Sequence, residues 1–458
     1  MKILISGTAS AGGWPAPDCG CASCARATPG RRPVSVLLDV QVALDGSLIP
    51  DGSAIPDGSA PLDGPGDPAP IDGSTVSDGS TTPGDSVTPG GSTPLGGPVV
   101  TVGPARLPLA GPLPPGYHAS VGPDGLTVIT PGGRRVLYAA PSPPVSTPPV
   151  SPSYGKPPHG EPPRGESPRD EPPRGESPRN ERDVREKNAG GGAGEALDLV
   201  LLDVLDRPER LGDLRRRGLV GERTHVVAVG VDHRVPTETE LIRRAALWGV
   251  RVVPDGTVVD IGEPPPVPVS PPRRTLLLGG SRSGKSAEAE LRLAAEPEVL
   301  YVATGPSGEG DPEWLRRVRA HRDRRPAHWK TAETTGLAEL LRSADTPLLI
   351  DGLGTWVAAV FDECDAWPGG DGSTREDGED SRDGRDAVAA RCDDLVAAWR
   401  QTRVRVVAVS DEVGLGVVPG TASGRMFRDT LGRLNQRLAL ESEDVTLVVA
   451  GRLLPLPV

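Results

Sequence analysis

Residues 279–286 read GGSRSGKS, the G-x-x-x-x-G-K-[ST] spacing of a loop that wraps phosphate. Gly279, Gly280 and Gly284 let the backbone turn tightly and approach phosphate oxygens with no Cβ in the way. The N–H groups of this loop, Ser281, Arg282 and Ser283 included, join the positive end of the following helix in an anion cradle. Lys285 is placed to reach the β- and γ-phosphates, and the Ser286 hydroxyl to ligate Mg²⁺. The chemistry implied is the binding of a nucleotide's phosphates. Asp351 closes the apolar run Pro347-Leu348-Leu349-Ile350; a carboxylate at such a strand end holds Mg²⁺ through its water shell, or else caps the next turn. A third candidate is the stretch DPEWLRRVRAHRDRRPAHWK over 311–330. Asp311 and Pro312 open a helix, and His321 follows about two and a half turns later. Beside it stand Arg322, Asp323, Arg324 and Arg325. A His among guanidiniums tends to be neutral and therefore nucleophilic, and the cations suit phosphates. On its residues alone this stretch reads first as a solvated basic helix with an incidental His.

These groups need a scaffold, and 273–458 supplies the pattern of one. Near-continuous apolar strands are expected at 275–278, 299–303, 348–351, 404–410 and 445–450. Helical segments separate them, which implies a parallel sheet covered on both faces, an α/β fold of the P-loop NTPase type. In the helix expected over 425–440, Phe427, Leu431, Leu434 and Leu438 share one face, the spacing of a core-facing stripe. The acidic stretch 371–386 interrupts this domain and is expected to be a solvated loop.

The remainder of the chain is less uniform. Gly and Pro number 59 and 53 of 458 residues, a proportion that marks part of the chain as low-complexity. The segments read as follows: 1–43, the start of a folded region; 44–98, a disordered DGS-rich insert; 99–142, a hairpin with 126–129 and 135–138 flanking Pro-Gly-Gly; 143–194, a disordered Pro-rich block. Within that block EPPRGESPRD and EPPRGESPRN repeat in tandem, extended chain that serves as a solvated linker or a docking tail. Residues 195–262 resume βα alternation, with strands at 198–203, 225–229 and 250–253 and helices at 207–217 and 237–247. The Pro-rich 263–272 is a linker into 273–458. A net charge of −12 argues against nucleic acid as a partner. Neither a signal peptide nor a membrane-spanning run is recognised, so a cytoplasmic protein with reduced thiols is expected. Cys19, Cys21 and Cys24 offer three thiolates within six residues. With no obvious fourth ligand they read first as a reduced Cys-rich turn, and Zn²⁺, which thiolates suit, is the alternative.

Five signatures, GGSRSGKS, YVATG, HRDRRPAHWKTAE, LLIDGLGTW and DEVGLGVVPGTASGRMFRDTLGRLNQRLA, occur in the order in which they resemble one family. It is the bifunctional adenosylcobinamide kinase/adenosylcobinamide-phosphate guanylyltransferase family of cobalamin biosynthesis. The resemblance implies ATP- or GTP-dependent phosphorylation of adenosylcobinamide. GMP then passes from GTP, by way of a guanylylated histidine, to adenosylcobinamide phosphate, and pyrophosphate is released. By the same resemblance the nucleophile is His321, with His328 ranked second, and Lys285 and Asp351 are catalytic. Nucleotide contacts fall on 279–286, Ala303, Thr304, Gly305, Arg322, Asp323, Arg324, Arg325, Glu333 and Asp351, with Mg²⁺ on Ser286 and Asp351, in a homo-oligomer, a trimer in the family. Asp411 stands where the family usually has Asn, and Gly352 and Gly354 replace the commoner Cys and Thr/Ser. Other readings are a P-loop kinase without guanylyl transfer and a non-enzymatic scaffold that works through the Pro-rich repeats. The opening ILISGTASAGGWPAPDCGCASC with RRPVSVLLD resembles a metallo-β-lactamase-fold hydrolase. That family's His-x-His-x-Asp-His cluster is missing: 44–195 hold only His118 and His159, and Asp232-His233 is at most a remnant. The N-terminal region is therefore expected to be a degenerate, non-catalytic α/β domain with long disordered inserts.

Overall fold

The computed structural model describes residues 1–38, 113, 115–139, 196–305, 325–368 and 379–457, the side chains of 379–382 excepted. The inserts expected at 44–98 and 143–194 lie outside these residues.

The N-terminal region is built from two sheets. In the first, β1 (Lys2–Gly7) runs antiparallel between β2 (Ser35–Leu38) and β8 (Thr257–Asp260). The second has the order β3 (His118–Gly122), β4 (Gly125–Ile129), β5 (Arg135–Ala139), β6 (Leu199–Leu202), β7 (His225–Ala228). Its first three strands are antiparallel and its last two pairings parallel. The hairpin expected around Pro-Gly-Gly is β4–β5, closed by Thr130 N donating to Arg134 O at 2.9 Å. Strand alternation gives each face of the second sheet its own core. Leu199 and Leu201 pack with Ile3, Ile5 and Val36 of the first sheet. Val200 and Leu202 pack under α1 (Glu209–Arg216) and α2 (Glu238–Leu247), against Leu211, Leu214, Leu241 and Trp248. Thr237 starts α2 by accepting a hydrogen bond from Glu240 N at 3.2 Å, which satisfies one of the orphan donors of the first turn.

The strand expected at 250–253 forms only an isolated bridge, Val227 to Arg251. The polar-edged β8, which no local pattern marks as a strand, pairs with β1 on the side opposite β2.

The C-terminal region is one sheet of order β11-β10-β12-β13-β9-β14-β15. Its members are β9 (Arg274–Gly279), β10 (Leu300–Ala303), β11 (Lys330–Glu333), β12 (Leu348–Asp351), β13 (Val406–Asp411), β14 (Asp444–Val449) and β15 (Arg452–Pro455). All pairings are parallel except that of β14 with β15. One face carries α3 (Lys285–Leu293), which buries Ala289 and Leu293 on Leu277, Leu349 and Val407. The other carries α4 (Leu337–Ser343), α5 (Leu353–Glu363), α6 (Glu379–Gln401) and α7 (Ala422–Leu440). There Trp356, Phe361, Trp399, Leu431, Leu434 and Leu438 pack on Leu276, Ile350 and Ala408. The parallel sheet with helices on both faces thus stands as expected. One detail differs: residues 379–386 of the acidic stretch are the first turns of α6 rather than loop. Their small and apolar successors, such as Val388, Cys392 and Leu395, bury against α5 and draw the helix inward. In that setting burial pushes the Cys392 thiol up to about 11.

The two regions meet at α3. Trp248 Nε1 donates to Leu291 O at 2.7 Å, Arg215 Nη1 to Ala295 O at 2.8 Å, and Arg243 pairs with Glu288 at 2.9 Å. Gly212 of α1 faces the same segment so closely that a Cβ there would lie 2.5 Å from Glu296 O. The helix that follows the phosphate-binding loop is therefore braced from outside its own sheet.

Candidate active site

Parallel strands put their carboxyl ends along one edge, where open α/β sheets collect ligands. Here β9 ends at Gly279, β10 at Ala303, β12 at Asp351 and β13 at Asp411. Between β9 and α3 the loop takes the conformation that its composition predicts. Arg282 and Gly284 have φ of 59° and 101°, and such alternation of backbone handedness turns successive N–H groups into one concavity. A Cβ on Gly279 would sit 2.6 Å from Val448 O, so only glycine fits there. The loop is pinned by Gly451 N donating to Ser283 O at 2.8 Å. The Ser283 hydroxyl is buried without a partner among the described residues.

Ser286 Oγ donates to Asp351 Oδ1 at 3.0 Å, and Tyr301 Oη donates to Asp351 Oδ2 at 2.5 Å. Above Tyr301 lies the Arg325 guanidinium, 3.3 Å from the ring centroid, a cation–π arrangement. Burial, and then the Asp351 charge, push the Tyr301 phenol well above its ordinary value, so it stays a hydrogen-bond donor. An unbroken line of contacts thus runs from Arg325 through Tyr301 and Asp351 to Ser286. Two oxygen donors at 3.0 Å beside a phosphate cradle fit a hard divalent cation such as Mg²⁺. Thr304 Oγ1 and Thr355 Oγ1 both donate to Gly352 O, at 2.6 and 2.7 Å. They close the turn after β12 against Ala303, Thr304 and Gly305. Gly352 has φ of 112°, and a Cβ there would meet Thr355 Oγ1 at 2.4 Å, which accounts for glycine at this position. Glu333 is the last residue of β11, in register with Ala303.

Lys285 Nζ donates to Gly280 O at 3.1 Å and pairs with Asp411 Oδ1 at 2.8 Å. Gly354 makes room for that carboxylate, since a Cβ on it would lie 2.7 Å from Asp411 Oδ2. With side-chain exposures of 12% and 39%, the pair is worth no more than about 1 kcal/mol. It nevertheless occupies the cation that a triphosphate needs. Asp411→Asn is expected to tighten ATP or GTP binding by up to about fivefold, with a smaller gain at high salt. Titration calorimetry at two ionic strengths checks this, and equal affinities for the two proteins would refute it.

His321, Arg322, Asp323 and Arg324 fall outside the described residues. His328 is described, with Nε2 buried and unpartnered among those residues. Tyr301 and Thr355 were not singled out by the sequence reading. Tyr301 looked like one more apolar strand residue, although the signature YVATG does contain it.

A glycine-rich loop between a parallel strand and a helix, with a lysine, a hydroxyl and a strand-end carboxylate converging on it, defines a nucleotide-binding protein of the P-loop type. Residues 275–456 match the family described as cobinamide kinase / cobinamide phosphate guanyltransferase. Bifunctional adenosylcobalamin biosynthesis protein CobU of Salmonella typhimurium is 38% identical over 180 residues, 38% of this chain and 95% of that protein. CobU of Escherichia coli is 39% identical over 181 residues, with coverage of 38% and 95%. Bifunctional adenosylcobalamin biosynthesis protein CobP of Pseudomonas aeruginosa is 43% identical over 190 residues, with coverage of 40% and 96%. The chain belongs to the cobinamide kinase / cobinamide phosphate guanyltransferase family. An ATPase of a bacterial type III secretion system superposes with a TM-score of only 0.24 at 12% identity, over 38% of this chain and 50% of that one. The family match begins at residue 275, and the metallo-β-lactamase-like reading of the N-terminal region draws no support from these comparisons. No helix among the described residues is long and apolar enough to cross a membrane.

Proposed function

We propose that the chain catalyses both reactions after which its family is named, on adenosylcobinamide and then on adenosylcobinamide phosphate. The observation that carries this is the convergence of Lys285, Ser286 and Asp351 on the loop 279–286 in a member of that family. In the first reaction the hydroxyl oxygen of adenosylcobinamide attacks the γ-phosphorus of ATP or GTP. The bond to the β–γ bridging oxygen breaks, and the hydroxyl proton leaves to water or a base. Backbone N–H groups of 279–284 and the Lys285 ammonium stabilise the charge that spreads over the phosphoryl oxygens. Ser286 and Asp351 would hold Mg²⁺, which supplies further charge neutralisation when bound. In the second reaction a ring nitrogen of His321 attacks the α-phosphorus of GTP and pyrophosphate leaves. A phosphate oxygen of adenosylcobinamide phosphate then attacks the same phosphorus, and His321 is released as adenosylcobinamide-GDP forms. Two displacements replace one difficult transfer. Ala303, Thr304, Gly305, Arg322, Asp323, Arg324, Arg325 and Glu333 are assigned to the nucleotide and its phosphates, and a homo-oligomer is expected by family likeness.

The test is intact-protein mass spectrometry after incubation with GTP and Mg²⁺. A mass increase of one GMP is expected for the wild type and none for His321→Ala. A wild-type protein that binds GTP yet gains no mass would remove the guanylyltransferase half. An adduct that persists in His321→Ala would move the nucleophile elsewhere, with His328 next in line.

A further inference from the structure

Outside the site described above, one cluster among the described residues has the donor chemistry of a metal centre. Cys19, Cys21, Cys24 and His233 bring three Sγ atoms and one ring nitrogen within 4.8 Å of one another. His233 Nδ1 lies 3.7 Å from Cys19 Sγ and 3.9 Å from Cys24 Sγ. Bond lengths of about 2.3 Å to sulfur and 2.0–2.1 Å to nitrogen in a tetrahedron give S···N edges of about 3.6 Å and S···S edges of about 3.8 Å. The cluster therefore has nearly the size of a filled tetrahedral site. The sequence left Cys19, Cys21 and Cys24 without a fourth ligand and His233 as an isolated histidine; folding joins the two.

We propose that Cys19, Cys21, Cys24 and His233 form a closed, structural zinc(II) site that staples the loop after β1 to the loop after β7. Three soft thiolates and an imidazole select zinc over magnesium or calcium, which prefer oxygen. Four protein ligands leave no open position for substrate, so the role is structural. The two loops are positioned without the metal. Trp14 Nε1 donates to Ser23 Oγ at 3.1 Å, and that hydroxyl donates to Val235 O at 2.5 Å. Ser10 N donates to Val231 O at 2.9 Å. Arg234, beside the histidine, is held by Asp232 Oδ1, Asp203 Oδ2 and Gly230 O. The sulfurs are themselves oriented: Ala16 N donates to Cys24 Sγ and Cys24 N to Cys21 Sγ, both at 3.4 Å. Such N–H donors commonly support metal-bound ligands. His233 and Cys19 are separated by 214 residues in sequence, so the staple closes a long loop and ties one sheet of the N-terminal region to the other.

The test uses the full chain, purified under reducing conditions without added chelator. Elemental analysis is expected to find one zinc per chain, and exchange with Co²⁺ to give the visible absorption of a tetrahedral thiolate site. His233→Ala removes an exposed ligand and leaves the interior intact; it is expected to weaken zinc binding by about a hundredfold or more and to change the Co²⁺ spectrum. Cys21→Ser is expected to do the same, with circular dichroism confirming that each variant is folded. Absence of zinc together with no thiolate-bound Co²⁺ spectrum overturns the proposal. So does stoichiometric zinc retained by both variants, or a disulfide among the three cysteines in the metal-free isolated protein.

Discussion

Lys285→Ala is expected to lower phosphoryl transfer by about a thousandfold while leaving thermal unfolding close to that of the wild type. The lysine ammonium stands at the cradle formed by 279–284, where it donates to Gly280 O and pairs with Asp411. Removing one such preorganised donor from a site of developing negative charge typically costs about 10²–10³ in rate. In this protein the loss falls toward the upper end, because Asp411 then stands beside the phosphates with its partner gone. Stability is spared, since the ion pair is partly solvated and contributes at most about 1 kcal/mol. Single-turnover transfer from labelled ATP, measured at saturating nucleotide, reads the effect. A loss smaller than tenfold would mean that Lys285 does not contact the transferred group.

The largest stability effect is expected at Trp356. Its side chain is 1% exposed, in the core shared by α4, α5, α6 and α7, and its Nε1 donates to Thr335 O at 2.8 Å. Trp356→Ala removes the largest buried volume of α5, a change that costs about 3–5 kcal/mol. In a region of this size the thermal midpoint falls by on the order of 10 °C. The consequence reaches the site, because the same helix has Gly352 at its N-cap and carries Thr355, which closes the turn after Asp351. Trp356→Phe keeps most of the packing and isolates the hydrogen bond, with a cost nearer about 1 kcal/mol. Calorimetric unfolding of the two variants checks both figures, and an alanine variant that melts with the wild type would show that α5 is not integral to the core.

The phosphate-binding loop was legible because its chemistry lies in eight contiguous residues, 279–286, whose spacing the backbone geometry itself requires. Asp351 was legible because it ends an apolar run. Partnerships between distant segments were not. The role of Tyr301 comes from Asp351 on the neighbouring strand and from Arg325, and its own surroundings in sequence resemble any buried strand. His233 is unremarkable until folding carries it to three cysteines more than two hundred residues away. Edge strands were missed for a related reason. β11, with sequence Lys-Thr-Ala-Glu, pairs on one side only and is mostly exposed, so it lacks the apolar run that marks the central strands. The opposite error arose at 250–253, where β-branched residues promised a strand but found one bridge. Asp411 was recognised as a departure, yet its bond to Lys285 depends on β13 lying next to β9, which no local pattern announces.

Gly354 and Asp411 impose an order on change. While the carboxylate remains at 411, any side chain at 354 must displace it, because the added Cβ would fall 2.7 Å from Asp411 Oδ2. Displacement would in turn break the bond that Asp411 makes with Lys285. A residue at 411 shorter than aspartate would leave the glycine in place and make room for a larger residue at 354. The two positions are therefore coupled, and non-additive effects are expected of substitutions at them, as for other residues in contact.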